Sequence, residues 1–179
     1  MKNILVFMSA SDVAEKYVKP ARKFAQLLAE HKFNLVYGAS EKGLMKVVSS
    51  QVQKSGGKVI GITVEWMKES RKRDADEIII AKTLDERKDT MLKRSKAIVV
   101  LVGGMGTIDE ITHILETKKH GHHNKPIVFL NTANFYTGFK EQFQKMEDEG
   151  FLPRKLDELM FFAKTPEEVI QYLDEKREK

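Results

Sequence analysis

Ala97-Ile98-Val99-Val100-Leu101-Val102-Gly103-Gly104-Met105-Gly106-Thr107-Ile108-Asp109-Glu110 joins an unbroken apolar, β-branched run to three glycines in four positions and then to a helix start. A strand with one wet face alternates apolar and polar residues; this one does not, so it reads as a strand of a parallel sheet covered on both faces. The glycines let the backbone pass close to a ligand and take positive φ, leaving amide N–H groups free to face an anion. The helix that follows aims the positive end of its dipole at the same place. Gly-Gly-x-Gly is too short for G-x-G-x-x-G and lacks the Gly-Lys-Ser/Thr of a P-loop, so the spacing points to a different kind of nucleotide or phosphate site.

Outward from this stretch, strand and helix patterns alternate through the chain without repeats or a linker. Strands are expected at Asn3–Met8, Asn34–Tyr37, Lys58–Val64, Glu77–Ala81, Ala97–Val102 and Pro126–Asn131. Helices are expected from about Asp12 to Glu30, Gly43 to Lys54, Leu84 to Ser95, the glycine loop to His120, Phe135 to Glu149 and Pro166 to Lys176, with a short apolar piece at Leu159–Phe162. This order predicts an α/β fold: a Rossmann-like, doubly wound, mostly parallel sheet with helices on both faces, in one domain over residues 1–179. Ligands of such sheets sit beyond the carboxyl ends of the strands, which places the chemistry on the loops after Met8, Tyr37, Ala81 and Val102.

At 179 residues such a domain buries roughly 70% of its unfolded surface and needs no staples. The absence of cysteine removes disulfides, thiolate metal sites and a cysteine nucleophile, and suits a reducing, cytoplasmic setting. The apolar run at Ile4–Met8 is too short for a signal peptide, and no stretch approaches the roughly 20 residues of a membrane span. The net charge of +5 arises from 31 basic against 26 acidic residues. These are interspersed, as at Lys68–Asp74 and Asp174–Lys179, and no nucleic-acid-binding motif accompanies them, so a small anionic ligand is favoured over nucleic acid.

Glu110 lies about one turn from any phosphate held by the glycine loop, within reach of a nucleotide sugar. Thr107-Ile108-Asp109-Glu110 also has the spacing of a capping box, and local spacing alone favours that structural role. Arg87 and Lys88 open the helix after Ala81, where positive charge opposes the dipole; a guanidinium there can fork onto a carboxylate or phosphate, or simply pair with Glu86 or Asp89 in solvent. Ser9 and Ser11 read as ligand contacts or as caps of the first helix, the cap being favoured. Gly38–Met45 is a second strand-to-helix turn. His120-Gly121-His122-His123 looks like a metal tract but belongs to the amino side of the sheet, so a polar helix end is preferred. Trp66 reads as core or interface filler.

Arg87-Lys88 followed by Gly103-Gly104-Met105-Gly106-Thr107-x-x-Glu110, with Tyr37-Gly38 and Gly43-Leu44-Met45 upstream, resembles the Lonely guy family, whose members were long described as lysine decarboxylases. The similarity continues through Gly61–Val64 and His123–Asn131 and spans nearly the whole chain. The resemblance implies a cytoplasmic Rossmann-like homodimer that needs no cofactor and cleaves the N-glycosidic bond of a nucleoside 5′-monophosphate. The substrate is a cytokinin riboside monophosphate or AMP-like, the products a free base and ribose 5-phosphate. It places Arg87 and Glu110 in catalysis, with Gly103, Gly104, Gly106 and Thr107 as the phosphate loop. Met105, Lys88, Ser9 and Gly38 are further candidates around the phosphate and nucleotide, and no metal is expected. Such a cleavage passes through an oxocarbenium-like sugar, which a nearby carboxylate stabilises.

The chain departs from the family pattern at Val102, which replaces a proline, at Ala39-Ser40, which replace glycines, at Met8-Ser9-Ala10, which replaces Cys-Gly-Ser, and at Asp85, which replaces histidine. The alternative reading is a non-catalytic protein that binds a nucleotide or nucleotide cofactor on the same scaffold. A binder needs the glycine loop but not the Arg87 and Glu110 pair.

Overall fold

The computed structural model describes residues 2–70 and 74–176; the charged stretches over 71–73 and 177–179, read above as part of a mixed-charge surface, lie outside the described residues. The elements are β1 (Lys2–Phe7), α1 (Glu15–Glu30), β2 (Phe33–Tyr37), α2 (Gly43–Lys54), β3 (Val59–Val64), β4 (Glu77–Ala81), α3 (Leu84–Lys93), β5 (Ala97–Val100), α4 (Met105–Lys119), β6 (Ile127–Leu130), α5 (Thr137–Asp148), α6 (Leu156–Leu159), β7 (Phe161–Ala163) and α7 (Pro166–Glu175). Short 3-10 turns occupy Glu65–Ser70 and Thr132–Asn134. All strand pairs are parallel, in the order β4-β3-β2-β1-β5-β6-β7. The expected α/β architecture is therefore present, with the order reversing between β1 and β5.

Strand residues divide between the two faces with period two. Ile4, Val6 and Met8 pack with Phe24 and Leu28 of α1, Val48 and Val52 of α2, and Val169 and Leu173 of α7. Leu5 and Phe7 face the opposite side, with Met91 of α3, Ile111 and Ile114 of α4, and Leu159 of α6. Each fully buried Leu, Ile or Phe contributes about 1.5–3 kcal/mol of transfer free energy, which holds both helical layers to the sheet. The apolar piece expected near Leu159–Phe162 resolves into α6 and the edge strand β7.

Residues Leu101 and Val102 leave the regular strand but stay tied to β1: Leu101 N–H donates to Phe7 O (2.9 Å) and Ser9 N–H donates to Val102 O (3.0 Å). These bonds hold together the two loops that part at the reversal. The second helical connection is fastened to them as well, since Met45 N–H donates to Ser9 O (3.2 Å).

Gly43 makes that approach possible. Its φ is 55°, and a Cβ there would lie 2.3 Å from Ser11 O and 2.5 Å from the carbonyl carbon of Ala10. Both the left-handed backbone and the overlap with fixed backbone oppose any larger residue. Gly43→Ala is expected to lower unfolding free energy by about 2–4 kcal/mol, from left-handed strain and overpacking together. Denaturant titration measures it, and an unchanged midpoint contradicts the packing described.

Candidate functional site

Beyond the carboxyl ends of β1 and β5, where the strand order reverses, a cleft of about 410 Å³ opens. Its wall includes Ser9, Arg87, Lys88, Gly104, Met105, Gly106, Thr107 and Glu110, so eight of the ten candidate residues share one cavity. Gly38 and Gly103 are not on the wall; each lies behind a side chain that is.

Arg87 projects from the first turn of α3. Its Nε donates to Ile62 O (2.9 Å), at the carboxyl end of β3, and its Nη1 donates to Glu110 Oε1 (2.7 Å) on α4. The alternative pairing with Glu86 or Asp89 in solvent is absent: Arg87 is 7% exposed and Glu110 8%. Burial raises the Glu110 carboxyl above its ordinary value, while attraction to Arg87 and the hydrogen bond from it act the other way. A buried ion pair gives little net stability, yet removing one partner costs about 3–5 kcal/mol because the other charge is left uncompensated. Its place on a cleft wall makes both residues candidates for chemistry. Lys88, also buried, holds its Nζ 3.4 Å from both Asp85 Oδ1 and Asp109 Oδ2.

The capping-box expectation for Glu110 is corrected. Helix α4 begins at Met105 with extended Gly104 as N-cap, so Thr107 is already inside the helix and Glu110 is in its second turn. The same Thr-x-x-Glu spacing does cap two other helices. Thr83 Oγ1 accepts from Glu86 N–H (3.1 Å) at α3, and Thr165 Oγ1 accepts from Glu168 N–H (3.2 Å) at α7. In each, the glutamate turns back to the backbone N–H before the threonine. Only Glu110 turns toward a buried arginine.

The expectation of positive φ in the glycine loop is also corrected, since none of Gly103, Gly104 and Gly106 is left-handed. The strand passes through extended Gly104 straight into the helix, and no sharp reversal is needed. A Cβ on Gly104 or Gly106 would meet open space, so these two residues leave the backbone bare on the cleft side. Gly103 has a packing reason: its Cβ would lie 2.1 Å from Thr107 Oγ1.

The remaining expectations divide. Ser9 Oγ accepts from Ser11 N–H (3.0 Å), closing the loop on itself, and the N-cap of α1 is Ala14 without a side-chain bond, so neither serine caps that helix. His120 meets Glu116 at 2.9 Å and His123 Nε2 meets Ile114 O at 3.1 Å, away from the cleft. Among the described residues, no group of three His, Asp or Glu side chains is placed to hold a metal ion. Trp66 is not core filler: it is 71% exposed and lines the cleft with Met67 and Leu84. The loop after Val64 was missing from the expected set, although Glu65-Trp66-Met67 directly follows a strand as the other four loops do.

Gly38, expected near the nucleotide, instead makes room for Arg87. A Cβ there would lie 2.5 Å from Arg87 Nη2. In Gly38→Ala the guanidinium must shift off Glu110, and the Glu110 carboxyl is expected to titrate at higher pH because the opposing cation has moved away. Side-chain carboxyl NMR measures this. An unchanged titration contradicts the role assigned to Gly38.

A family model described as "Possible lysine decarboxylase" matches residues 45–173. The chain is 32% identical over 176 residues to cytokinin riboside 5′-monophosphate phosphoribohydrolase LOG5 of Arabidopsis thaliana, covering 97% of this chain and 77% of that protein. It is 29% identical over 177 residues to the probable cytokinin riboside 5′-monophosphate phosphoribohydrolase LOGL2 of Oryza sativa subsp. japonica, covering 97% and 72%. The solved structure of the molybdenum cofactor binding protein from Rippkaea orientalis matches with a TM-score of 0.76 at 21% identity, over 97% of this chain and 96% of that one, a likeness of fold. This chain belongs to the Lonely guy family, the group covered by the lysine-decarboxylase family model and populated by these plant phosphoribohydrolases.

Proposed function

We propose that the protein hydrolyses the N-glycosidic bond of a nucleoside 5′-monophosphate, either AMP-like or a cytokinin riboside monophosphate, releasing the base and ribose 5-phosphate. The observation that carries this reading is the buried Arg87–Glu110 pair on the wall of the cleft that also holds the glycine loop. The 5′-phosphate binds against the bare N–H groups at the start of α4, with Thr107 beside them. The ribose then extends toward Glu110, one helical turn further on.

Cleavage sends the electron pair of the C1′–N bond to the base and leaves positive charge on the sugar, which the Glu110 carboxylate stabilises. A water oxygen bonds C1′, one of its protons leaves by way of Glu110, and the departing base carries a proton in place of the sugar. Arg87 opposes the rise that burial imposes on the Glu110 carboxyl, which favours its charged form, and fixes its direction. Metals and cofactors have no part in this scheme.

The relatives' names support the substrate class, and the second reading, a non-catalytic binder, is supported by the fold likeness to molybdenum cofactor binding and carrier proteins. Incubating the protein with AMP and with isopentenyladenosine monophosphate is expected to yield base and ribose 5-phosphate in equal amounts. In Glu110→Gln, base release is expected to fall about 10²-fold or more with nucleotide binding retained. Hydrolysis by the Gln variant at the parent rate rejects the role of Glu110. Tight binding without turnover of any nucleoside monophosphate favours the binder.

We also infer a homodimer. Trp66, Met67, Ile80, Leu84 and Met105 are large apolar side chains left exposed, and all but Ile80, which lies on the edge strand β4, line the cleft. An apolar collar of this kind is normally covered by a partner, and a second copy closes the set with two-fold symmetry. Light scattering is expected to give twice the chain mass at micromolar concentration. A monomer contradicts the inference.

A further inference from the structure

Helix α4 carries the glycine loop at one end and, roughly 20 Å away at the other, Lys118. This lysine is 3% exposed. Its Nζ donates to Leu159 O (2.7 Å), a neutral acceptor, and among the described residues no carboxylate lies within ion-pair distance of it. Buried ammonium groups are ordinarily paired, because desolvation costs several kcal/mol and one carbonyl recovers only part of it. The carboxyl end of α4 adds a partial negative charge, also short of a full counter-ion.

Lys118 lines an open cleft of about 800 Å³ on the amino side of the sheet, walled also by Arg154, Lys155 and Lys176. Four cations there face two carboxylates, Asp157 and Glu158. Glu158 is already engaged by Arg154, whose Nε donates to it at 3.3 Å. The guanidinium's Nη2 also reaches Asn124 Oδ1 at 3.4 Å, which spreads the Arg154 fork across the mouth. The cleft thus has an excess of positive charge, a buried donor at its base and a guanidinium at its rim. A carboxylate needs one such donor; a phosphate, with more charge and more oxygens, uses all of them.

We propose that this cleft binds a small phosphate-bearing anion, with the Lys118 ammonium as its innermost contact. The site lies at the far end of α4 from the glycine loop and is independent of the hydrolase reading. Burial, with Arg154 and Lys176 adding to it, pulls the Lys118 ammonium down to about 8. A bound anion favours the charged form, so binding near pH 8 takes up protons. His123, the other titrating neighbour, is held below its ordinary value by burial and is neutral at that pH, and burial keeps the Tyr172 hydroxyl protonated. The acidic groups that face the lysine are Asp157 and Glu158, the basic ones Arg154, Lys155 and Lys176.

Titration calorimetry with pyrophosphate tests the site in the unmodified protein, Lys118→Met and Arg154→Gln. The expected result is that affinity drops about tenfold or more in each variant, while base release from nucleoside monophosphate is unchanged. Repeating the titration at pH 8 in buffers of different ionisation enthalpy is expected to show more proton uptake in the unmodified protein than in Lys118→Met, the proton exchange of pyrophosphate itself being common to both. If Lys118→Met does not fold, Arg154→Gln at the rim decides alone. Equal affinity in all the folded proteins assigns the bound pyrophosphate to the glycine loop and overturns the proposal, as does the absence of binding at millimolar pyrophosphate.

Discussion

The reversal of strand order between β1 and β5 is the constraint on which the rest of the site depends. To one side of it the chain leaves toward β2, to the other toward β6, so the two connections part and a space is left that no helix fills. The floor of that space is closed by main-chain bonds, Leu101 to Phe7 and Ser9 to Val102, and these hold the glycine loop at a fixed height. Helix α4 starts there without a side-chain cap, its first N–H groups open to the cleft.

Arg87 links this place to the other half of the sheet. It arrives on α3, accepts its direction from the carbonyl of Ile62 in β3, and crosses to Glu110 on α4. One side chain therefore couples three elements that are not neighbours in sequence. Gly38, at the end of β2, leaves the volume that the guanidinium fills. The arrangement contributes little to stability compared with an apolar filling of the same size, and it fixes the Glu110 carboxyl at one place on the cleft wall.

The fold was legible because its determinants are local and repeated: apolar β-branched runs, helices of the right length between them, and glycines at the junctions. β4 was expected at its observed bounds, and α2 likewise. The site was legible in its residue types but not in its wiring. Thr-x-x-Glu occurs at Thr83, Thr107 and Thr165, and the pattern alone does not separate the two caps from the third. What separates them is where the helix starts, and extended Gly104 moves that start ahead of Thr107. The burial of Arg87 depends on space left by Gly38 and on a carbonyl 25 positions away, and no local pattern carries either. Ala39, one of the two departures noted in the second turn, is buried with φ 64°, a left-handed conformation that costs an alanine about 1–2 kcal/mol. Of the two places expected for Trp66, core or interface, the core is excluded by its exposure on the cleft wall, and a lone aromatic residue does not by itself separate the two.

On the proposed reading, the amino end of α4 holds a nucleotide phosphate and presents the attached sugar to Glu110. The most direct measurement is a crystal structure of the Glu110→Gln protein with AMP bound. The predicted result is phosphate on the N–H groups of residues 104–107, with the ribose C1′ next to the side chain of residue 110 and Arg87 still in contact with it. A nucleotide seated elsewhere, or one bound on the loop with its sugar directed away from residue 110, contradicts the claim.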